Sequence, residues 1–246
     1  FAHEVAILSL WLAEHQINLE FYKAFGRTSP SLPLQDGGNI VHGNATRLDW
    51  EVVCPKTDGD EINILGNPPY LGQRNHEDNH INDMEIVFHG LTNYKNLDYV
   101  SCWFMKAANY IEKDQRFAFV TTSSICQGSQ VGMLWPNIRK VGADIFFAYE
   151  FFPWKNSAKD NAGVICTIIG LSKDTTIVKK IYSESFSKTV PRISPYIDDN
   201  DNIIVTSQKK PISKLPLMIG GNQPRDGGHL ILSNHEKEQL LLDFPL

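Results

Sequence analysis

No apolar run in these 246 residues approaches the length needed to span a bilayer, and no signal-peptide pattern opens the chain. No membrane partner is expected. Cysteine is scarce: Cys54, Cys102, Cys126 and Cys166 stand far apart, without the paired spacing of a zinc site. Reduced thiols of a cytoplasmic protein are the expectation. No internal repeat or low-complexity tract stands out, which excludes a stacked-repeat architecture. A basic excess is missing too. With 23 Lys and Arg against 28 Asp and Glu, the net charge of −5 lacks the footprint that a nucleic-acid duplex usually demands. Net charge does not report clustering, however: Lys155, Lys159, Lys179, Lys180, Lys209, Lys210 and Arg225 all fall in the second half. What is present is ordinary for a globular chain, with 42% apolar and 21% charged residues, enough for one large domain or two small ones.

Periodicity divides the chain into elements. Residues 4–23 read as a helix through Val5, Ile7, Leu8, Leu10, Trp11 and Leu12, continued by Ile17, Leu19 and Phe21. Thr28 to Gly38 reads as a loop, followed by a strand at about 39–43. A second strand leads into Asn67, and residues 71–94 look polar and irregular. Asp98 to Glu112 has the apolar stripe of a helix, with strands expected near 117–122, 144–151 and 163–171. This β–α–β–α–β alternation implies an α/β fold on a mostly parallel sheet. Beyond Ser172 only Thr176–Ile181 and Ile203–Thr206 look strand-like. Ser233-Asn-His-Glu236 is a capping box that opens a final helix.

The most informative residues lie at 61–70, Glu-Ile-Asn-Ile-Leu-Gly-Asn-Pro-Pro-Tyr. Ile62, Ile64 and Leu65 suit a buried strand. Pro68 and Pro69 cannot extend a ladder, because each fixes φ and lacks an N–H. Nearby carbonyls stay open to other donors, Asn67 adds an amide acceptor, and Tyr70 adds a flat stacking face. Two acceptors beside an aromatic plate form a receptor for a planar amino group.

Leu65-Gly-Asn-Pro-Pro-Tyr70 resembles the catalytic motif of class I S-adenosylmethionine-dependent methyltransferases acting on an sp2 amino nitrogen, above all N6-adenine DNA methyltransferases. Ile40–Ala45 resembles that family's third strand, Phe117–Thr122 its fifth, and Tyr149–Pro153 with Gly163–Gly170 its last hairpin. Including Asn222–Gly228, the chain looks most like the methyltransferase portion of bifunctional type II restriction–modification enzymes. The resemblance implies a Rossmann-like sheet, mostly parallel with an antiparallel last strand. It divides the chain into a partial catalytic domain at 1–172 and a connector with the start of a target-recognition region at 173–246.

It also implies site roles. Asn67, Pro68, Pro69 and Tyr70 form the catalytic loop, in which Asn67 Oδ1 and the Pro68 carbonyl accept the amine's two N–H groups. Phe152, Pro153 and Lys155 face the substrate, a base flipped out of double-stranded DNA. Asn44 and Ala45, with Asn67, adjoin the cofactor S-adenosylmethionine, although Asn44 reads equally well as a turn residue after a strand. No resident metal is implied. In the family a glycine-rich turn after the first strand cradles the cofactor, and no such turn precedes Asn67; Gly37-Gly38 stands before a strand. The expectation is an incomplete N-terminal half, with missing N- and C-terminal partners or a second copy completing it. This piece alone is expected to bind cofactor weakly and to be inactive. Cytosine N4 or protein glutamine methylation, and a non-catalytic DNA-contacting role, remain alternatives. His76-Glu-Asp-Asn-His80 matches a zinc-protease pattern in letters, yet its Asn and Asp content points to a polar loop beside the cleft.

Overall fold

The computed structural model describes residues 1–27, 40–154, 163–201, 203–208 and 231–244. The expected loop at 28–38, with Gly37-Gly38, lies outside the described residues, as do Lys155, Lys159, Lys209, Lys210 and Asn222–Gly228. Residues 1–207 form one compact unit and 208–246 another.

The first unit is built on a six-stranded mixed sheet in the order β1-β2-β4-β3-β5-β6. These strands are β1 (Asn63–Gly66), β2 (Arg116–Thr122), β3 (Asp144–Pro153), β4 (Ile165–Ser172), β5 (Lys179–Tyr182) and β6 (Ser187–Val190). β1 and β2 pair in parallel, as do β3 and β5, while β4 runs against both of its neighbours and β6 against β5. Four strands therefore share one direction, and β4 is the reversed strand expected of the last hairpin. The sheet does not stop at Ser172, since β5 and β6 extend its far edge.

Helices α1 (Ala2–Phe25), α2 (Trp50–Val53), α3 (Asp78–Val87), α4 (Ser101–Tyr110) and α5 (Gly128–Lys140) complete the unit. Alternation along β2 puts Phe117 and Phe119 on one face, where both meet Phe104 of α4 edge-on at ring separations of 5.9 and 5.4 Å. Trp135 of α5 closes the cluster, and its indole N–H donates to the Ile125 carbonyl at 2.7 Å. Ile138, Ile145, Ile169 and Leu171 fill the core around them. No described helix is long and apolar enough to cross a membrane.

Three local expectations differ from the structure. Residues 40–43 form no strand. A strand exists through its neighbour's hydrogen bonds, and no described strand flanks this segment; the Ile40 carbonyl accepts from His3 Nε2 instead. The polar stretch 71–94 contains α3. Glu77 caps it through a reciprocal box with His80, and Met84 supplies the buried anchor. The apolar run 203–206 forms no strand; the Val205 carbonyl lies where a Cβ on Gly132 of α5 would come within 2.9 Å, so the run crosses that helix. In the second unit, α6 (Asn234–Asp243) begins at the expected Ser233–Glu236 capping box.

Candidate active site

Parallel ladder pairing ends at Gly66 opposite Phe119, so Asn67 emerges at the carboxyl tip of β1. Thr122, the last residue of β2, pairs with Cys166 of β4, and Cys166 pairs with Phe152 of β3. Thr122, Cys166 and Phe152 therefore form one row across the end of the sheet where open α/β folds place their ligands, and Asn67 leaves β1 two residues short of that row, level with Val120. An irregularity in β3 sets the last member. Tyr149 pairs with Ile168 and Phe152 with Cys166, so three steps on β3 match two on β4, and the extra residue brings Phe152 into line in place of Phe151. The Phe152 ring packs perpendicular to Tyr149 at 5.6 Å.

Within the loop, Asn67 and Pro69 are exposed, Pro68 is buried and Tyr70 is half-buried. Burial, reinforced by the facing Cys166 thiol, raises the Tyr70 hydroxyl above its ordinary pKa of 10.0. The nearby Asn67 side chain opposes that rise. Tyr70 thus faces Cys166, the ladder partner of Phe152. Among the described residues, no hydrogen bond engages the Pro68 carbonyl.

The next residue is held from both sides. Leu71 N–H donates to Asp98 Oδ1 at 2.8 Å, and the Leu71 carbonyl accepts from Tyr99 N–H at 3.0 Å and His76 Nε2 at 2.9 Å. The His76–His80 pair thereby has a structural use, since His80 Nδ1 accepts from Glu77 N–H within the helix cap.

Asn44 and Ala45 lie apart from this row. Asn44 Oδ1 accepts from both Thr46 N–H at 2.9 Å and the Thr46 hydroxyl at 2.7 Å, an Asx turn, while its Nδ2 donates to Asp83 Oδ2 at 2.9 Å. Asp83 also accepts from Arg47 Nε and the Tyr99 hydroxyl. Burial works to raise the Asp83 pKa, but these three donors outweigh it and hold the carboxyl below its ordinary 3.8. Burial and Asp83 together push Tyr99 up to about 12. Ala45 lines a groove of about 460 Å³ along the open edge of β1, with Val41, Trp50, Ile64 and Leu65. Phe152 and Pro153 line a second cleft of about 570 Å³, closed by the β5–β6 turn at Ser183–Phe186.

Sequence reasoning did not find Asp98, Thr122 or Cys166. The residue types carry no motif: register pairs Thr122 with Cys166, and hydrogen bonds to Leu71 and the end of β2 hold Asp98 beside the loop.

A family model described as the MmeI DNA-methyltransferase domain matches residues 1–183, and one described as the MmeI target recognition domain matches residues 199–245. The chain is 43% identical over 248 residues to DNA methyltransferase A of Bacillus subtilis (strain 168), covering 100% of this chain and 28% of that protein. It is also similar to a solved structure of the Type IIL restriction-modification enzyme MmeI in complex with DNA. There the TM-score is 0.83 at 35% identity, over 99% of this chain and 33% of that one. The chain thus spans about a third of each relative's length or less.

Proposed function

The chain belongs to the MmeI DNA-methyltransferase family, and from that premise we propose that its site methylates the N6 amino group of an adenine flipped out of double-stranded DNA. S-adenosylmethionine, when bound, supplies an electrophilic methyl group. Everything else falls to residues of this chain and their partners in the full-length protein.

The adenine amine is a weak nucleophile, because its lone pair is delocalised into the ring. Asn67 Oδ1 and the Pro68 carbonyl each accept one N–H and favour the pyramidal nitrogen on which that pair is localised. The exposed Asn67 at the strand tip can meet an incoming base without rearranging the core. No strong base is needed, since the proton leaves after the methyl has transferred. The gain comes from orientation and from dipoles fixed in advance. Extruding a base costs a few kcal/mol. Stacking on an aromatic ring returns about 1–3 kcal/mol, the task assigned to Tyr70, with Phe152 closing the opposite side. The groove along β1 fits the purine half of the cofactor, being lined mostly by apolar residues; Ala45 contributes a wall. The Asn44 side chain acts by shaping the turn that carries Ala45, its polar atoms being spent on Thr46 and Asp83. Lys155 is assigned to DNA phosphate through the resemblance alone.

The observation that carries this reading is the exposed Asn67 at the carboxyl tip of β1, beside a Tyr70 that faces Cys166, the ladder partner of Phe152. The test incubates full-length protein with S-adenosylmethionine, a DNA library and a glutamine-containing peptide, then analyses digests by mass spectrometry. N6-methyldeoxyadenosine is the expected product. N4-methyldeoxycytidine, methylglutamine or no methylated product would overturn the assignment.

A further inference from the structure

Asp98 stands out among the buried ionisable groups that the proposed chemistry does not use. It is 4% exposed, and no ion pair involves it among the described residues. A buried carboxylate without a cation is costly unless hydrogen-bond donors take up its lone pairs. Two backbone N–H groups and a pair of hydroxyls do so. Oδ1 accepts from Leu71 N–H at 2.8 Å and Val100 N–H at 3.3 Å. Oδ2 faces the Thr122 hydroxyl at 3.3 Å and the Ser124 hydroxyl at 3.1 Å; these two hydroxyls also bond each other at 2.5 Å, so one of them donates to the carboxylate at a time.

These donors come from three places: the loop just after Tyr70, the start of α4, and the carboxyl tip of β2 with the turn that follows. The backbone behind Asp98 is fixed as well. Its N–H donates to Gln130 Oε1 of α5 at 2.9 Å, and Gln130 Nε2 donates to the Asn96 carbonyl at 3.1 Å. One oxygen therefore grips the catalytic loop, and the other grips the strand end whose last residue pairs with Cys166.

We propose that Asp98 is a positioning residue, which sets the Tyr70 ring and Asn67 against the Cys166–Phe152 row by tying Leu71 to the end of β2. This rests on the function proposed above. Asp98 touches neither base nor cofactor. Without it, Leu71 retains its carbonyl contacts with Tyr99 and His76 but loses its amide tether, so Tyr70 is free to drift while the core stays packed. Asparagine at this position keeps one oxygen for Leu71 and Val100. Its NH2 faces Thr122 and Ser124, whose hydroxyls can also accept.

The test compares Asp98→Ala and Asp98→Asn with wild type in the full-length protein, with activity normalised to folded protein. Loss of near-attack geometry by about 1 Å costs on the order of 10²-fold, so D98A is expected to lose about that much kcat while KM for DNA changes little. D98N is expected to recover most of it. A DNA substrate with 2-aminopurine at the target position gives a second readout: the flipped base, unstacked from Tyr70, fluoresces more brightly in the D98A complex than in the wild-type one. Wild-type kcat in D98A, equal losses in D98A and D98N, or an unchanged 2-aminopurine plateau would each overturn the proposal. If D98A fails to fold, Thr122→Val with Ser124→Ala, which removes only the hydroxyls facing Oδ2, is the second variant: a lowered kcat and brighter 2-aminopurine are expected, and wild-type values of both would overturn the proposal. Wild-type protein that methylates no adenine would instead overturn the proposed function, so the two failures are distinguishable.

Discussion

Replacing Asn67 with alanine removes one acceptor from a strand tip that the rest of the fold does not need. Asn67 is exposed, and its side chain contacts Tyr70 but fills no part of the core. A surface change of this kind usually shifts stability by no more than about 0.5 kcal/mol. Almost the whole effect should therefore appear in the chemical step. Loss of one preset dipole at a developing charge costs about 2.7–4 kcal/mol, or roughly 10²–10³ in kcat. Loosened orientation of the amine adds to this, by up to about 10²-fold for a displacement near 1 Å. The expected fall is thus at least about 10² in single-turnover methyl transfer at saturating DNA and cofactor, with DNA affinity and unfolding midpoint near wild type. Asn67→Asp keeps an acceptor in the same place and should retain more activity than Asn67→Ala. The assay is tritium transfer from labelled S-adenosylmethionine, with filter binding of the same duplex alongside. Activity of N67A within about tenfold of wild type, a difference of only 1.4 kcal/mol, would refute the role given to Asn67.

Other outcomes follow from the same structure. Tyr70→Phe keeps the stacking face and gives up only the hydroxyl contacts with Cys166 and Asn67, whereas Tyr70→Ala loses about 1–3 kcal/mol of stacking; 2-aminopurine fluorescence should separate the two. Asp83→Ala strands the buried Tyr99 hydroxyl and the Asn44 amide, while half-exposed Arg47 can turn to water, so a loss of about 1–3 kcal/mol is expected in denaturant unfolding. Because the folded Asp83 pKa lies below its ordinary 3.8, its contribution is fully present above that pH and is lost as pH falls through the lower folded value. Stability of wild type should drop on acidification below about pH 4, and that component should be missing from D83A. Gly170→Ala places a Cβ within 2.2 and 2.3 Å of two Phe147 ring carbons and 3.1 Å of the Phe146 ring, so both rings must move. Overpacking of this sort costs about 1–3 kcal/mol, read as a lowered unfolding midpoint.

The parts of this fold that were legible in sequence are those whose signals are local. β2 and β4 announce themselves through apolar, β-branched and aromatic runs, and the end of β1 through Pro68-Pro69. α6 is marked by Ser233 and Glu236, three residues apart, whose contacts at 2.8 and 3.3 Å are the capping box itself. α5 was not legible, because Gly128, Gly132 and Pro136 each disfavour a helix interior. Packing of Val131, Leu134, Trp135 and Ile138 overrides them. The carbonyl that Pro136 leaves without its usual donor belongs to Gly132, where the absent side chain also admits the crossing segment at Val205. β6, Ser-Lys-Thr-Val, is polar because only Val190 faces the core. The site divides in the same way. Asn67 through Tyr70 could be read because four adjacent residues make up the whole motif. Asp98 could not, since its partners stand 24 to 27 positions away in sequence, and only the folded chain brings them together.

The most direct measurement is a crystal structure of the full-length protein with a target duplex and a non-transferring analogue of S-adenosylmethionine. The account predicts an extruded adenine whose N6 lies within hydrogen-bond distance of both Asn67 Oδ1 and the Pro68 carbonyl, with its ring stacked on Tyr70. A target base bound elsewhere, or one whose amino group meets neither oxygen, would contradict it.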